Sequence, residues 1–149
     1  MKLDEVIKSN RYTNEKHKAS LNMLYTAYWF KDQLISALKP HGITMEQHNV
    51  MRILKGSHPT EMRVKDILSR MVEKSSNVPR IIDKLVDKKL VIRTTSEKDK
   101  RETLVALTDK GMASIEKARK SIEQVTEESL LIDEGEAAQL NDLLEKMRG

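Results

Sequence analysis

Lys98, Asp99, Lys100 and Arg101 stand in a row inside the segment SEKDKRE, Ser96–Glu102. Three cations and one carboxylate on a short polar loop belong in water or against an anion. Two kinds of chemistry suit such a tip. Lysines neutralise phosphate without selecting sequence. An arginine can enter a narrow minor groove, where the potential is most negative. Asp99 precedes Arg101 by two residues, a spacing that places a carboxylate beside a guanidinium. That pairing would aim Arg101 outward and restrict its rotamers. Taken alone, a charged loop is ordinarily a solvated turn, so the residues in front of it decide the reading.

Those residues are Ser75, Ser76, Asn77, Arg80 and Lys84, at the start and on the polar side of a basic amphipathic segment. A helix fits the major groove, and side chains in its first turn reach base edges. Serine contacts several bases, asparagine pairs bidentately with adenine, and arginine reads guanine or holds phosphate. Serines at a helix start also serve as plain N-caps.

Other chemistry has little material. The 4 histidines, His17, His41, His48 and His58, form no HxxxH or HExxH pair, and there is no cysteine, so no metal or cofactor is expected. No GxSxG, glycine-rich phosphate loop or paired-carboxylate motif supports catalysis, so no enzyme is expected. Tyr25, Tyr28, Trp29 and Phe30 cluster in one stretch, with only Tyr12 elsewhere. Adjacent aromatics on a helix cannot all face one way. They either pack between helices or wall a small-molecule pocket, with Tyr25, Trp29, His41 and His48 as its candidate residues.

The bounds agree. A chain of 149 residues fits one compact domain with helical extensions. The formal net charge is only +4 with 34% charged residues, so any anion site must come from local clustering of Lys and Arg. Disulfides and thiol redox sensing are excluded with cysteine. No apolar run reaches the roughly 20 residues a membrane span needs, and Met1–Arg11 lacks the apolar region of a secretory signal. A cytoplasmic protein with no membrane partner is expected.

The elements that must position these residues are legible. Residues 1–16 read as a loosely held arm or helix start. Leu21, Leu24, Tyr28, Ile35 and Leu38 recur at helical spacing from about His17 until Pro40 and Gly42 break the pattern. Thr44 with Gln47 is a capping box for a helix to about Lys55. Gly56–Thr60 is a turn, and Val64, Ile67, Leu68 and Met71 mark a short helix. Pro79 belongs in a first turn, which makes Ser75 or Ser76 the expected N-cap of the next helix. Val91–Thr95 and Thr103–Leu107 are β-branched runs around the charged loop and read as a hairpin. Thr108 caps a helix to about Glu128, with Ile115, Ala118, Ile122 and Val125 on one stripe. Asp133 or Glu134 opens another, with Ala137, Leu140, Leu144 and Met147. These last stripes are either core or a seam for a second subunit. The order is that of a winged helix-turn-helix: mainly α, with a small β-hairpin wing.

The chain resembles the MarR family of bacterial transcription regulators over nearly its whole length. IRTTSEKDKRETLVALTDKG, Ile92–Gly111, is similar to the family's wing signature, with Asp99, Arg101, Leu107, Thr108 and Gly111 at its positions. HGITMEQHNVMRIL, His41–Leu54, and VPRIIDKLVDKKLVIR, Val78–Arg93, are similar to its second-helix opening and its recognition helix. Lys89 departs from the glycine common at that helix end; a left-handed lysine there costs roughly 1 kcal/mol. Pro79 is a less usual residue in that helix. The resemblance implies a single domain over 1–149, with a DNA-binding lobe at about 44–108 and dimerisation helices at about 10–38 and 109–149. It implies a homodimer on a pseudo-palindromic double-stranded DNA operator. It further implies a repressor relieved by small aromatic or phenolic compounds, oxidants or metals; the absence of cysteine removes thiol oxidation, and a small aromatic effector is the candidate carried forward. The competing reading is a winged-helix module for protein–protein assembly without sequence-specific DNA binding.

Overall fold

The computed structural model describes residues 1–149. A short helix α1 (Leu3–Val6) precedes the long α2 (Glu15–Leu38), a single 3-10 turn (Lys39–His41) and α3 (Met45–Ser57). Then follow β1 (Met62–Arg63), α4 (Val64–Arg70), α5 (Val78–Asp87), β2 (Val91–Thr95), β3 (Thr103–Leu107), α6 (Asp109–Ser129) and α7 (Glu134–Arg148). The sheet is antiparallel in the order β1-β3-β2, with Val91 opposite Leu107, Thr95 opposite Thr103, and Met62 opposite Val105. No helix is long and apolar enough to cross a membrane.

Local chemistry sets the boundaries. Asn14 accepts the His17 amide and starts α2 ahead of the expected His17. Gly42, at φ 65°, turns the chain after the 3-10 segment, and Thr44 and Gln47 form the expected capping box. Thr108 caps α6, and Asp133 with Glu136 makes a second box at α7. The hairpin lies where the β-branched runs place it. The two-residue β1 has no sequence signal, being too short to show alternation.

The arm is more ordered than expected. Tyr12 donates its hydroxyl to Asp4 Oδ1 at 2.5 Å, Lys18 lies 3.4 Å from the same carboxylate, and Leu3 is buried. This hydrogen bond holds the Asp4 carboxyl below its usual range and pushes the Tyr12 phenol up to about 12.

One core runs from Leu38 to Ala118. It joins Val50, Met51 and Leu54 of α3, Ile67 of α4, Val78, Ile82 and Leu85 of α5, Val91, Val105 and Leu107 of the sheet, and Ile115 and Ala118 of α6. Ile115 is therefore not part of a free stripe: it is 1% exposed, with Ile122 packed beside the same cluster. The α6 helix lies against α2 and α3, and so uses that face inside its own chain. In contrast, α7 buries no residue, and α2 buries only its last, Leu38.

Candidate nucleic-acid interface

The α5 helix begins at Asn77, not at Ser75 or Ser76. The Asn77 side chain accepts the Arg80 amide at 3.2 Å, and Pro79 sits inside the first turn, where its missing N–H leaves nothing unpaired. Ser75 donates to the Glu73 carboxylate at 3.3 Å, and the Ser76 hydroxyl is buried without a partner. Asn77 was expected to present its whole amide to a ligand. Its oxygen is instead committed to the cap, which leaves the amide NH2 to donate.

The buried face of α5 is Val78, Ile82 and Leu85; Arg80, Asp83 and Lys84 are exposed on the other side. Ser75, Ser76, Asn77, Arg80 and Lys84 share one cleft of about 440 Å³ with Thr44, Glu46, Gln47, Glu73 and Ile81. The structure thus gathers all five recognition-helix candidates around one cleft, with the Ser76 hydroxyl itself buried and the other four residues exposed.

The helix ends in a left-handed residue. Lys89 has φ 59°, with its amide on Val86 O at 2.8 Å and that of Leu90 on Leu85 O at 2.9 Å. Thr108 secures this end: its hydroxyl donates to Lys89 O at 2.8 Å and accepts the Gly111 amide at 2.9 Å. A Cβ on Gly111 would lie 1.9 Å from Leu90 O, so the position admits no side chain. The Leu-Thr-x-x-Gly run is therefore a bolt between the end of α5 and the start of α6.

In the wing, Lys98, Asp99, Lys100 and Arg101 are all exposed. Asp99 does not pair with the Arg101 guanidinium as its spacing suggested. Its Oδ1 accepts the Arg101 backbone amide at 3.0 Å, an Asx turn. Ser96 Oγ accepts the Asp99 amide at 3.3 Å, and Glu102 closes the loop by donating its amide to Asp99 O at 2.9 Å. Asp99 thus fixes backbone shape and leaves the arginine side chain free.

Several charged residues beside the wing were not singled out in the sequence as site residues. Arg93 on β2 pairs with Asp83 on the outer face of α5, which sets the wing alongside that helix. Glu102 lies 3.4 Å from Arg63 and 3.2 Å from Lys65. Arg63 also grips Asp66 through two bonds, holding that carboxyl below its usual range. Arg63 and Glu102 are distant in sequence, and the pairing of β1 with β3 brings them together.

An adjoining cavity of about 470 Å³, which shares Glu46, Glu73 and Ser76 with the cleft at α5, lies between α2 and the lobe. Phe30, Leu34, Leu38, Met71 and Ile122 supply its apolar walls, with Lys31, Arg52, His48, Glu46 and Glu73 as charged or titratable groups. Of the four residues expected at a pocket, His48 lines this one, and Tyr25, Trp29 and His41 do not. His41 meets Ser121 at 2.8 Å, and Trp29 packs against Phe30 at 6.3 Å between ring centroids. Burial, and after it the charges of Arg52 and His41, push the His48 pKa down. No group of three His, Asp or Glu side chains converges as a metal site.

Comparison with known proteins matches residues 33–118 to the family described as transcriptional regulator SarA/Rot. The HTH-type transcriptional repressor MdtR of Bacillus subtilis (strain 168) is 34% identical over 79 residues, 53% of this chain and 50% of that protein. The match to this chain thus spans about half the length of that curated relative. Among solved structures, a MarR transcription factor from Planctomyces limnophilus is 27% identical with a TM-score of 0.71, covering 93% of this chain and 98% of that one. AbsC, a MarR family transcriptional regulator from Streptomyces coelicolor, shares the fold at TM-score 0.81 and 20% identity, covering 93% and 96%. The family and these relatives are transcription regulators and not enzymes. With the recognition helix, the wing and the bolt between them in place, the chain belongs to the SarA/Rot family of winged-helix transcriptional regulators, and its fold is the MarR fold.

Proposed function

We propose that this chain binds double-stranded DNA sequence-specifically, as a homodimeric repressor on a pseudo-palindromic operator, and that a small ligand releases it. One observation carries the DNA reading. The Arg93–Asp83 pair holds the wing beside the outer face of α5, so that helix and wing can address adjacent grooves of one duplex. Asn77 and Arg80 read base edges, Lys84 holds phosphate, and Arg101 enters the minor groove. Lys98 and Lys100 contribute phosphate contacts and salt dependence. The name repressor carried by MdtR supports the sign of regulation.

The dimer reading rests on exposed apolar side chains. Leu24, Tyr28 and Ile35 on α2, Leu131 between the last helices, and Leu140, Leu143 and Met147 on α7 all stand in water in one copy. Apolar area of this extent calls for a partner. The ligand reading rests on the cavity beside α2. Its apolar walls suit a planar aromatic acid, with Lys31, Arg52 or His48 to hold the carboxylate. A ligand there releases DNA only if it binds the DNA-incompetent state more tightly.

Fluorescence anisotropy of labelled intergenic duplexes tests the binding, with salicylate-like acids added as competitors. Emission of Trp29, the only tryptophan, reports on the neighbouring Phe30 wall. Saturable binding that discriminates between duplexes, weakened by an acid that also shifts the emission, is the expected result. Equal binding to every duplex contradicts the sequence-specific reading.

A further inference from the structure

A wing tip can place Arg101 in a minor groove only if the hairpin leaves the lobe at a fixed angle. The β2–β3 ladder fixes the two strands to each other. It does not fix the loop beyond Thr95 and Thr103 against the rest of the lobe. Glu102 sits at that junction. Its backbone closes the loop on both sides, taking the Ser96 amide at 3.0 Å and giving its own amide to Asp99 O at 2.9 Å. Its carboxylate turns away from the tip. Oε1 lies 3.4 Å from Arg63 Nη1 and 3.2 Å from Lys65 Nζ, and the side chain is 27% exposed, the least exposed of the three partners. Arg63 is not a loose partner. Its fork holds Asp66 through Nε at 2.7 Å and Nη2 at 3.2 Å, which fixes the guanidinium independently of Glu102.

We propose that Glu102, braced by Arg63, is the positioning residue that sets the angle at which the wing presents Arg101 to DNA. The proposal rests on the DNA-binding reading above and adds a residue that does not itself touch DNA. Isolated exposed ion pairs contribute little to stability. A shared network on a pre-ordered arginine acts on geometry, because it selects one hinge angle among several of similar energy. Asp99 then transmits the angle to the tip through its bond to the Arg101 amide.

Charge and position predict opposite signs, and this makes the idea testable. A carboxylate on a DNA-facing wing repels phosphate. If Glu102 were only a solvated charge, Glu102→Gln would strengthen binding to every duplex alike. If it positions the wing, Glu102→Gln weakens binding to the preferred duplex while binding to a scrambled duplex holds or tightens. Arg63→Lys is the charge-conserving companion: it keeps the cation and removes the fork. The full-length chain is used throughout, with the duplex it enriches from a random pool and a scrambled duplex of equal length.

Anisotropy titrations at two salt concentrations then compare wild type, Glu102→Gln, Arg63→Lys, Arg101→Ala and the double variant Glu102→Gln/Arg101→Ala. Discrimination between the two duplexes should fall roughly fivefold to tenfold in each single wing-base variant, and the Arg101→Ala penalty should largely vanish in the double variant, as coupled residues behave. Tryptic cleavage after Lys98, Lys100 or Arg101 should also be faster in Glu102→Gln, with an unchanged thermal midpoint showing that the lobe is intact. A wild type that enriches no sequence overturns the DNA reading and this inference with it. A wild type that discriminates, beside a Glu102→Gln or Arg63→Lys that discriminates equally well or an Arg101→Ala penalty that remains additive, overturns this inference alone.

Discussion

The lobe and the helices that flank it use the same chemistry to opposite ends. In α3 and α5 one apolar face closes on the sheet and disappears: Val50, Met51, Val78 and Leu85 are fully or nearly fully buried. In α2 and α7 many apolar residues remain in water, with Tyr28 67% and Leu143 59% exposed. The α2 helix is the longest of the molecule, yet only Leu38 at its end joins the core. An apolar face on a helix therefore does not reveal what it packs against. The core of the lobe closes within one chain, whereas much of the apolar surface of the flanking helices stays exposed, which is the basis of the dimer proposed above. The bolt of Thr108, Gly111 and Leu90 links the two regions. It ties the start of α6 to the end of α5 through the two hydrogen bonds of the Thr108 hydroxyl and a close backbone approach.

The contrast breaks most visibly under truncation of buried leucines. Leu85→Ala, inside the lobe, should destabilise the fold by about 2–5 kcal/mol. Denaturant unfolding followed by circular dichroism measures this. A smaller loss at Leu85 would mean that the core is looser than its burial implies. Leu140→Glu with Leu144→Glu, outside the lobe, should leave the helical signal of the lobe in place and convert a dimer to monomer. Sedimentation velocity at micromolar concentration decides it. A wild type already monomeric there would remove the reason given for the exposed faces.

Within the lobe, Arg101→Ala should weaken binding to the preferred duplex by roughly 1–3 kcal/mol, without change in thermal midpoint. Lys98→Ala should instead weaken all duplexes alike and shallow the salt dependence by about one counterion. Anisotropy against a set of altered duplexes separates the two, and a Lys98→Ala that reorders the set would reverse the assigned roles.

The smallest effect concerns the pair joining α3 to α6. Lys55, and after it Arg119, hold the Glu116 carboxyl below its ordinary value. A carboxyl lowered in the folded state stabilises it above the unfolded pKa, near 4.5, and loses that contribution as pH falls through the folded value. Thermal midpoints of Lys55→Met and wild type should therefore differ above pH about 5 and converge as the solution is acidified. A gap that persists at low pH assigns it to lost packing of the lysine stem.

What the sequence revealed follows from how local each signal is. The hairpin, the Thr44–Gln47 box and the Thr108 cap were legible because each is decided within a few residues. Lys89 was flagged by the resemblance as standing where glycine is common, with a left-handed conformation left open, and its φ is 59°. The start of α5 was misplaced because Ser75, Ser76 and Asn77 are consecutive residues that can all cap, and Pro79 tolerates more than one place in the first turn. Asp99 misled because a spacing of two residues suits a backbone turn as well as an ion pair. The stripe at Ile115 could not be assigned to core or partner from periodicity, since both need the same pattern. Phe30, rather than Tyr25 or Trp29, walls the cavity because packing fixes the rotation of α2, and clustered aromatics leave it open. Arg63 and Glu102, 39 residues apart, meet through the pairing of β1 with β3.

Selection of bound duplexes from a random pool by the full-length chain, followed by sequencing, tests the joint claim that the lobe reads DNA and the flanking helices pair two copies. The account predicts an enriched motif of two inverted half-sites, with centres about one helical turn, roughly 10 base pairs, apart or a multiple of it. A pool without enrichment, or an enriched motif without inverted symmetry, would contradict it.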